Sequence, residues 1–182
     1  MKNAIGKVVT QEVRLSYLNV YEAKAYEPGD TPKFSTAILI DKSDETTIKA
    51  INKAIKAVIE ANKESKFGGK TKGLKTPLRD GDSEEEDKEG EEYRGVMFLN
   101  ASSTKRPVLL DENSLPIMDN RETLYSGCYA RVSLNFYAFN SKKAKGVAVG
   151  LNAIKKTRDG SPFGSTYTED MAISDFGDDD IL

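Results

Sequence analysis

The chain has 182 residues, with 27 Lys plus Arg against 29 Asp plus Glu, a formal charge of −2, no histidine and a single cysteine, Cys128. Without histidine there is no Ser-His or Cys-His nucleophile, no imidazole general base and no histidine-containing zinc site, and one cysteine forms neither a thiolate cluster nor an internal disulfide. The length suits one compact domain with some loop or tail, and no apolar run reaches the ~18–20 residues of a membrane helix.

Gly6 to Tyr17 is rich in β-branched residues and reads as a strand. A polar loop over Tyr21 to Pro32 follows, where Pro28 presets φ and Gly29 supplies the positive φ of a turn. Lys33 to Ile40 becomes continuously apolar, as a central strand does. Ser43 reads as a helix cap, with Asp44 and Glu45 complementing the positive end of the macrodipole. Behind it Ile48, Ile51, Ile55, Val58, Ile59 and Asn62 recur at spacings of three and four, which predicts an amphipathic helix over Thr46 to Lys63. Its other face carries Lys49, Lys53, Lys56 and Lys63, a solvated face that also adds to the positive field.

Lys66 to Asp82 is basic and glycine-containing. Its Gly69-Lys70-Thr71 resembles the end of a phosphate-binding P-loop, but that pattern needs a glycine five positions before Gly69, where Glu64 stands. The run from Asp82 to Glu92 has no apolar residue and lacks the carboxylate spacing of a calcium loop. Residues 66–92 are therefore expected to form a flexible loop, first basic and then acidic. Strands follow at Tyr93 to Asn100, Pro107 to Leu110, Gly127 to Asn140 and Lys145 to Thr157, the last two joined as a hairpin through Ser141 to Ala144. One helix among at least five strands, without βαβ alternation, points to a small antiparallel barrel or sandwich, a class that includes the OB-fold.

The net charge of −2 is a cancellation. Asp82 to Glu92 holds eight acidic residues and one lysine, and Thr166 to Leu182 six acidic residues and no basic one; the remainder has 26 bases and 15 acids, an excess of +11. A basic body with acidic appendages points to a polyanion partner. The Gly127 to Asn140 strand also divides by parity: Cys128, Ala130, Val132, Leu134, Phe136 and Ala138 form an apolar row, opposite Tyr129, Arg131, Ser133, Asn135, Tyr137 and Phe139. Aromatic rings stack unpaired bases and arginine pairs with phosphate, so the second row suits single-stranded nucleic acid; the same rings can instead pack beneath loops or the helix. The candidate contacts are Tyr129, Arg131, Tyr137 and Phe139, with Lys142, Lys143 and Lys145 at the hairpin tip. Lys155 and Lys156 near the end of the last strand, and Lys105 with Arg106 between two central strands, complete the set.

The chain ends Asp175-Phe176-Gly177-Asp178-Asp179-Asp180-Ile181-Leu182, behind a linker-like Ser161 to Thr166. An acidic tail can occupy its own protein's basic groove, give way when nucleic acid arrives, and dock its apolar tip on partner proteins. Simple solubilisation is the plainer reading.

Several blocks in order carry a family resemblance: Arg14-Leu15-Ser16-Tyr17, Leu74-Lys75-Thr76-Pro77-Leu78-Arg79-Asp80-Gly81-Asp82, Leu99-Asn100-Ala101-Ser102-Ser103, Tyr125-Ser126-Gly127-Cys128-Tyr129-Ala130-Arg131-Val132, Asn135-Phe136-Tyr137-Ala138-Phe139 and Lys145-Gly146-Val147-Ala148-Val149-Gly150-Leu151-Asn152. From about Gly6 to Gly160 the chain resembles the phage and prophage single-stranded DNA-binding proteins. That resemblance implies a mainly β, OB-fold-like five-stranded antiparallel barrel with one inserted long helix over residues 1–160. Residues 161–182 would then be linker and disordered acidic tail. It also implies sequence-independent binding of single-stranded DNA in replication and recombination, without cofactor or metal. Replication or recombination proteins would meet the tail, and self-association into a homo-oligomer is compatible with this scheme. The start Met1-Lys2-Asn3-Ala4-Ile5-Gly6 has no signal-peptide character, so a cytoplasmic location is expected, in the bacterial host for a phage-encoded chain. Two other classes stay open: a magnesium-dependent nuclease using Asp80, Asp111 and Asp119, and an adaptor whose aromatic face meets protein.

Overall fold

The computed structural model describes residues 5–83, 90–164 and 169–177. In chain order the elements are β1 (Lys7–Val9), β2 (Val13–Lys24), β3 (Lys33–Asp41), α1 (Glu45–Asn62), β4 (Arg79–Asp80), β5 (Val96–Ser103), β6 (Val108–Leu110), β7 (Tyr129–Asn140), β8 (Lys145–Arg158) and α2 (Glu169–Gly177). Pairings of β2 with β3, β3 with β5, β5 with β8, β8 with β7 and β7 with β2 close five strands on themselves. This is the five-stranded barrel of an OB-fold, with the helix inserted between its second and third strands. It is not purely antiparallel: β5 meets β8 in parallel at Ser102 and Gly150, and β6 adds a parallel strand outside the barrel along β8.

Where one strand was expected from Gly6 to Tyr17, two form. The Thr10 hydroxyl bonds Gln11 O at 2.7 Å and accepts from Val132 N, while Gln11 N reaches Thr47 Oγ1 on α1 at 3.0 Å. These bonds turn the chain between β1 and β2. β2 then continues to Lys24, through the first part of the expected loop, because Val20 is fully buried in the barrel.

The barrel interior is filled by Leu15, Val20, Ile38, Ile40, Leu99, Ala101, Val132, Leu134, Phe136, Val149, Leu151 and Ile154. α1 lies across β1, β7 and β8 and buries Ile51, Ile55 and Val58. Each such side chain contributes about 1.5–3 kcal/mol. The helix cap is Asp44, not Ser43: its carboxylate accepts from Thr47 N at 3.1 Å, while Ser43 is itself bound through N and Oγ to Asp41 Oδ1. Those Ser43 bonds hold the Asp41 carboxyl below its ordinary value.

Residues 66–83, expected as flexible loop, have a defined path. Phe67 is buried, Lys75 bridges Gly146, and β4 pairs with β5. Residues 84–89 of the acidic run lie outside the described residues. Within the expected disordered tail, Glu169–Gly177 is helical, and Ile173 and Phe176 are exposed on it.

Candidate nucleic-acid interface

On the outer face of the sheet, register partners line up in rows. Arg14, Leu39 and Phe98 form one row, Ser16, Ala37 and Asn100 the next, and Asn19, Ser35 and Ser102 a third. The first row is covered. Tyr93 packs edge-on against Phe98 with ring centroids 5.1 Å apart, and Phe163 joins the same apolar cluster with Leu39 and Val96. Burial pushes the Tyr93 hydroxyl up to about 12, so this plug is uncharged at neutral pH.

Beyond the plug the face is open. A groove of roughly 1380 Å³ runs over Ser35, Ala37, Asn100 and Ser102, between the β2–β3 turn and the β7–β8 turn. Its floor is small and polar, which lets a flat base approach the sheet. Tyr17 and Tyr26 stand in its walls, 63% and 98% exposed, and Lys24, Lys33 and Lys143 also line it. Tyr17 sits at a break in register between Ser16 and Asn19 with φ of 46°, so the bulge aims its ring away from the strand's alternation. Gly150, paired with Ser102, carries no side chain, and the ring of Tyr137 lies beside the gap. The outer surface therefore runs from the groove onto Tyr137.

The residues singled out from the sequence are dispersed along this surface. Of them, Lys143 lines the groove and Tyr137 adjoins it. Phe139 is half-buried opposite Gly146 at the hairpin end. Tyr129 lies at the other end of β7, roughly 26 Å from Tyr137 along an extended strand. Its ring carries the Arg158 guanidinium at 3.7 Å and that of Arg14 at 5.3 Å, a protein contact where a base was expected. Arg131 donates Nε to Thr10 O at 2.9 Å, with its side chain otherwise exposed. Lys105 and Arg106 are exposed between β5 and β6, where Arg106 donates to Met118 O and lies over Tyr21. Lys142 and Lys145 are exposed at the hairpin tip, and Lys155 is half-buried.

Lys156 is buried, its ammonium 2.6 Å from Asp159 and 3.4 Å from Glu112. Burial works against its charge, but the two carboxylates outweigh it and hold the ammonium above the ordinary lysine value. Lys156 is thus committed to an internal pair and is withdrawn from the phosphate contacts. Two adjacent lysines in one strand are the signal that was available, since alternation turns one of them inward.

A strap formed by residues 159–163 crosses the start of β7. Arg14 donates to Gly127 O at 3.0 Å and to Ser161 O at 2.7 Å, with Phe163 under its guanidinium at 4.1 Å. Tyr125 Oη bonds Asp159 and Gly160, and Phe163 N bonds Ser126 O. The chain thus leaves the barrel beside the plugged end of the groove. Of the tail residues expected to meet partners, Asp175 and Phe176 lie in α2, and Asp178, Asp179, Asp180, Ile181 and Leu182 lie outside the described residues.

The family model for the single-stranded DNA-binding protein of Enterobacter phage Enc34 matches residues 6–182. The chain belongs to this family. A protein of Acyrthosiphon pisum secondary endosymbiont phage 1, described as putative protein p50, is 31% identical over 167 residues, 86% of each chain. The Enc34 single-stranded DNA-binding protein solved in complex with single-stranded DNA is 26% identical, with a TM-score of 0.69 over 87% of this chain and 90% of that one. A C-terminally truncated form of the Enc34 protein, 24% identical, shares the fold with a TM-score of 0.73 over 87% of this chain and 88% of that one.

The carboxylates of the nuclease alternative do not converge in this member of the Enc34 family. Asp80 is held at 2.7 Å by Lys42, Asp111 caps a turn by accepting from Asn113 N and Leu115 N, and Asp119 lies 3.7 Å from Arg121. Among the described residues no group of three or more Asp, Glu or Cys side chains is placed to hold a metal ion. Nor is any described helix long and apolar enough to cross a membrane.

Proposed function

We propose that this chain is a non-catalytic, sequence-independent single-stranded DNA-binding protein of phage replication or recombination, acting in the bacterial cytoplasm. The observation that carries the proposal is the open groove over β2, β3 and β5, with two exposed tyrosines and three lysines around a small polar floor. In OB-folds this sheet face and the two flanking turns take oligonucleotides. Tyr17 and Tyr26 stack on unpaired bases; Lys24, Lys33 and Lys143 neutralise the backbone at the rim. Tyr137, Phe139, Lys142 and Lys145 extend the surface along the hairpin, and Arg131, Lys105, Arg106 and Lys155 add to the positive field around it. Tyr129 supports the strap. A duplex buries its base faces, so it cannot use the stacking walls. Anisotropy with oligo-dT and with duplex DNA at two salt concentrations tests the proposal: the single strand binds more tightly, with a log–log salt slope of about −0.7 per phosphate neutralised. Equal affinity for the duplex overturns it.

The acidic tail competes with DNA for this surface and presents its apolar tip to replication or recombination proteins. Support comes from its six acids and from the strap, which starts the tail beside the groove. A chain ending at Asp170 binds oligo-dT several-fold more tightly at low salt, the gain fading as the Debye length shrinks to about 8 Å near physiological salt. Unchanged low-salt affinity removes the competition.

A further inference from the structure

We propose that the loop over residues 66–75 is a second contact for nucleic acid: a basic track that takes the sugar-phosphate backbone of the strand where it leaves the groove past the β7–β8 turn. The inference rests on the groove binding single-stranded DNA, and it gives a role to a segment that the P-loop comparison left without one.

The loop is built into the barrel. Phe67 is 1% exposed and anchors its start, with Phe67 N and Gly69 N bonding back to Asn62 O and Lys63 O at the end of α1. Asn140 Nδ2, at the end of β7, donates to Lys66 O at 2.9 Å. At the other end Lys75 N donates to Lys145 O, and Val147 N to Lys75 O, both at 2.9 Å, so Lys75 pairs with β8 like a residue of an added strand. Gly146 permits this approach, since any Cβ there collides with the Lys75 backbone. The loop is stitched at both ends to the hairpin whose tip, through Ser141 and Lys143, lines the groove.

The stitching holds exposed Lys66 and Lys75 against the hairpin that carries Lys142, Lys143 and Lys145, with exposed Lys70 and Lys72 on the loop between them. None of these lysines is ion-paired with a described residue. Glu64 is an acid beside the loop, its carboxylate 3.5 Å from where a Gly69 side chain would start. Like charges held together on an ordered backbone raise the local potential, and a chain of phosphates relieves that repulsion while releasing counterions. The loop turns no large apolar side chain fully outward, Phe67 being buried and Leu74 half-buried, so it offers charge without an apolar anchor. That chemistry fits a nucleic-acid backbone better than a protein partner, whose interface needs buried apolar contacts.

The test is the full-length chain with Lys70→Ala, Lys72→Ala and Lys75→Ala together, against oligo-dT of about 6 and about 20 nucleotides, lengths within and beyond the site of one OB-fold. The longer strand binds about tenfold more weakly and its salt slope becomes shallower by about 2, while the shorter strand stays within about twofold. The triple Lys→Arg variant keeps wild-type affinity for both. An unchanged affinity for the long strand overturns the track, and so does an equal loss on both strands, which places the effect in the groove. If the loss disappears once the tail is removed, the loop holds the acidic tail instead, and the proposal fails. Failure of the groove itself reads differently: the wild-type chain then binds neither length.

Discussion

Replacing Tyr17 and Tyr26 together by alanine weakens binding of oligo-dT about thirtyfold or more, because a stacked base is worth roughly 1–3 kcal/mol per aromatic ring. The melting temperature moves little. Tyr26 is 98% exposed on the β2–β3 turn and Tyr17 is 63% exposed, so neither ring supports the core. Alanine inherits the φ of 46° at position 17 without added strain relative to tyrosine. The salt slope also stays constant, since no phosphate contact is lost. This combination separates stacking from charge: Lys24→Ala with Lys33→Ala flattens the slope, and the tyrosine pair lowers affinity at every salt concentration. Anisotropy titrations at several salt concentrations, with a thermal melt as control, decide the matter. A double variant within about twofold of wild type shows that the groove does not stack bases.

Neither tyrosine stood out in the sequence, and the reasons are physical. Alternation sorted β7 correctly into an inner row from Cys128 to Phe136 and an outer row, because β7 pairs regularly along most of its length. It could not show what covers the outer row. β1 pairs alongside Ser133 to Asn135, Arg131 bonds Thr10, and Arg14 reaches the Tyr129 ring, all through contacts more than a hundred residues apart in sequence, while Arg158 and the strap close over Tyr129 from the far end of β8. Tyr17 was hidden differently, since a bulge breaks the period that would have placed it on the outer face. Tyr26 lies in a turn, where periodicity says nothing. The barrel itself was legible because its signals are local: the apolar run of β3, the amphipathic spacing of α1 and the β7–β8 hairpin. Its closure through the parallel contact of Ser102 with Gly150 is not local and left no such mark.

Gly127→Ala disturbs the strap and, through it, the tail. Gly127 has φ of 111°, a conformation that costs any L side chain about 1–2 kcal/mol, and a Cβ there runs into Ser161 O and the Pro162 Cα at 2.9 Å. Gly160 makes the reciprocal approach, packing against Gly127 O and the Tyr129 ring. With both backbones this close, the added methyl displaces the strap, and the total cost comes to about 2–4 kcal/mol. For a chain of this size that lowers the melting temperature by about 5–15 °C. The second consequence is functional. Phe163, which closes the plug over Leu39, Tyr93 and Phe98, is carried by the strap, so a displaced strap no longer starts the tail at the groove's end. A longer, looser tether lowers the tail's effective concentration at the groove. The low-salt affinity of Gly127→Ala for oligo-dT therefore shifts toward that of the chain ending at Asp170. Phe163→Ala, which frees the plug without a backbone collision, shifts it the same way with a smaller loss of stability. If Gly127→Ala melts lower yet keeps the full difference between intact and truncated chains, the strap serves stability alone and the tail reaches the groove without it.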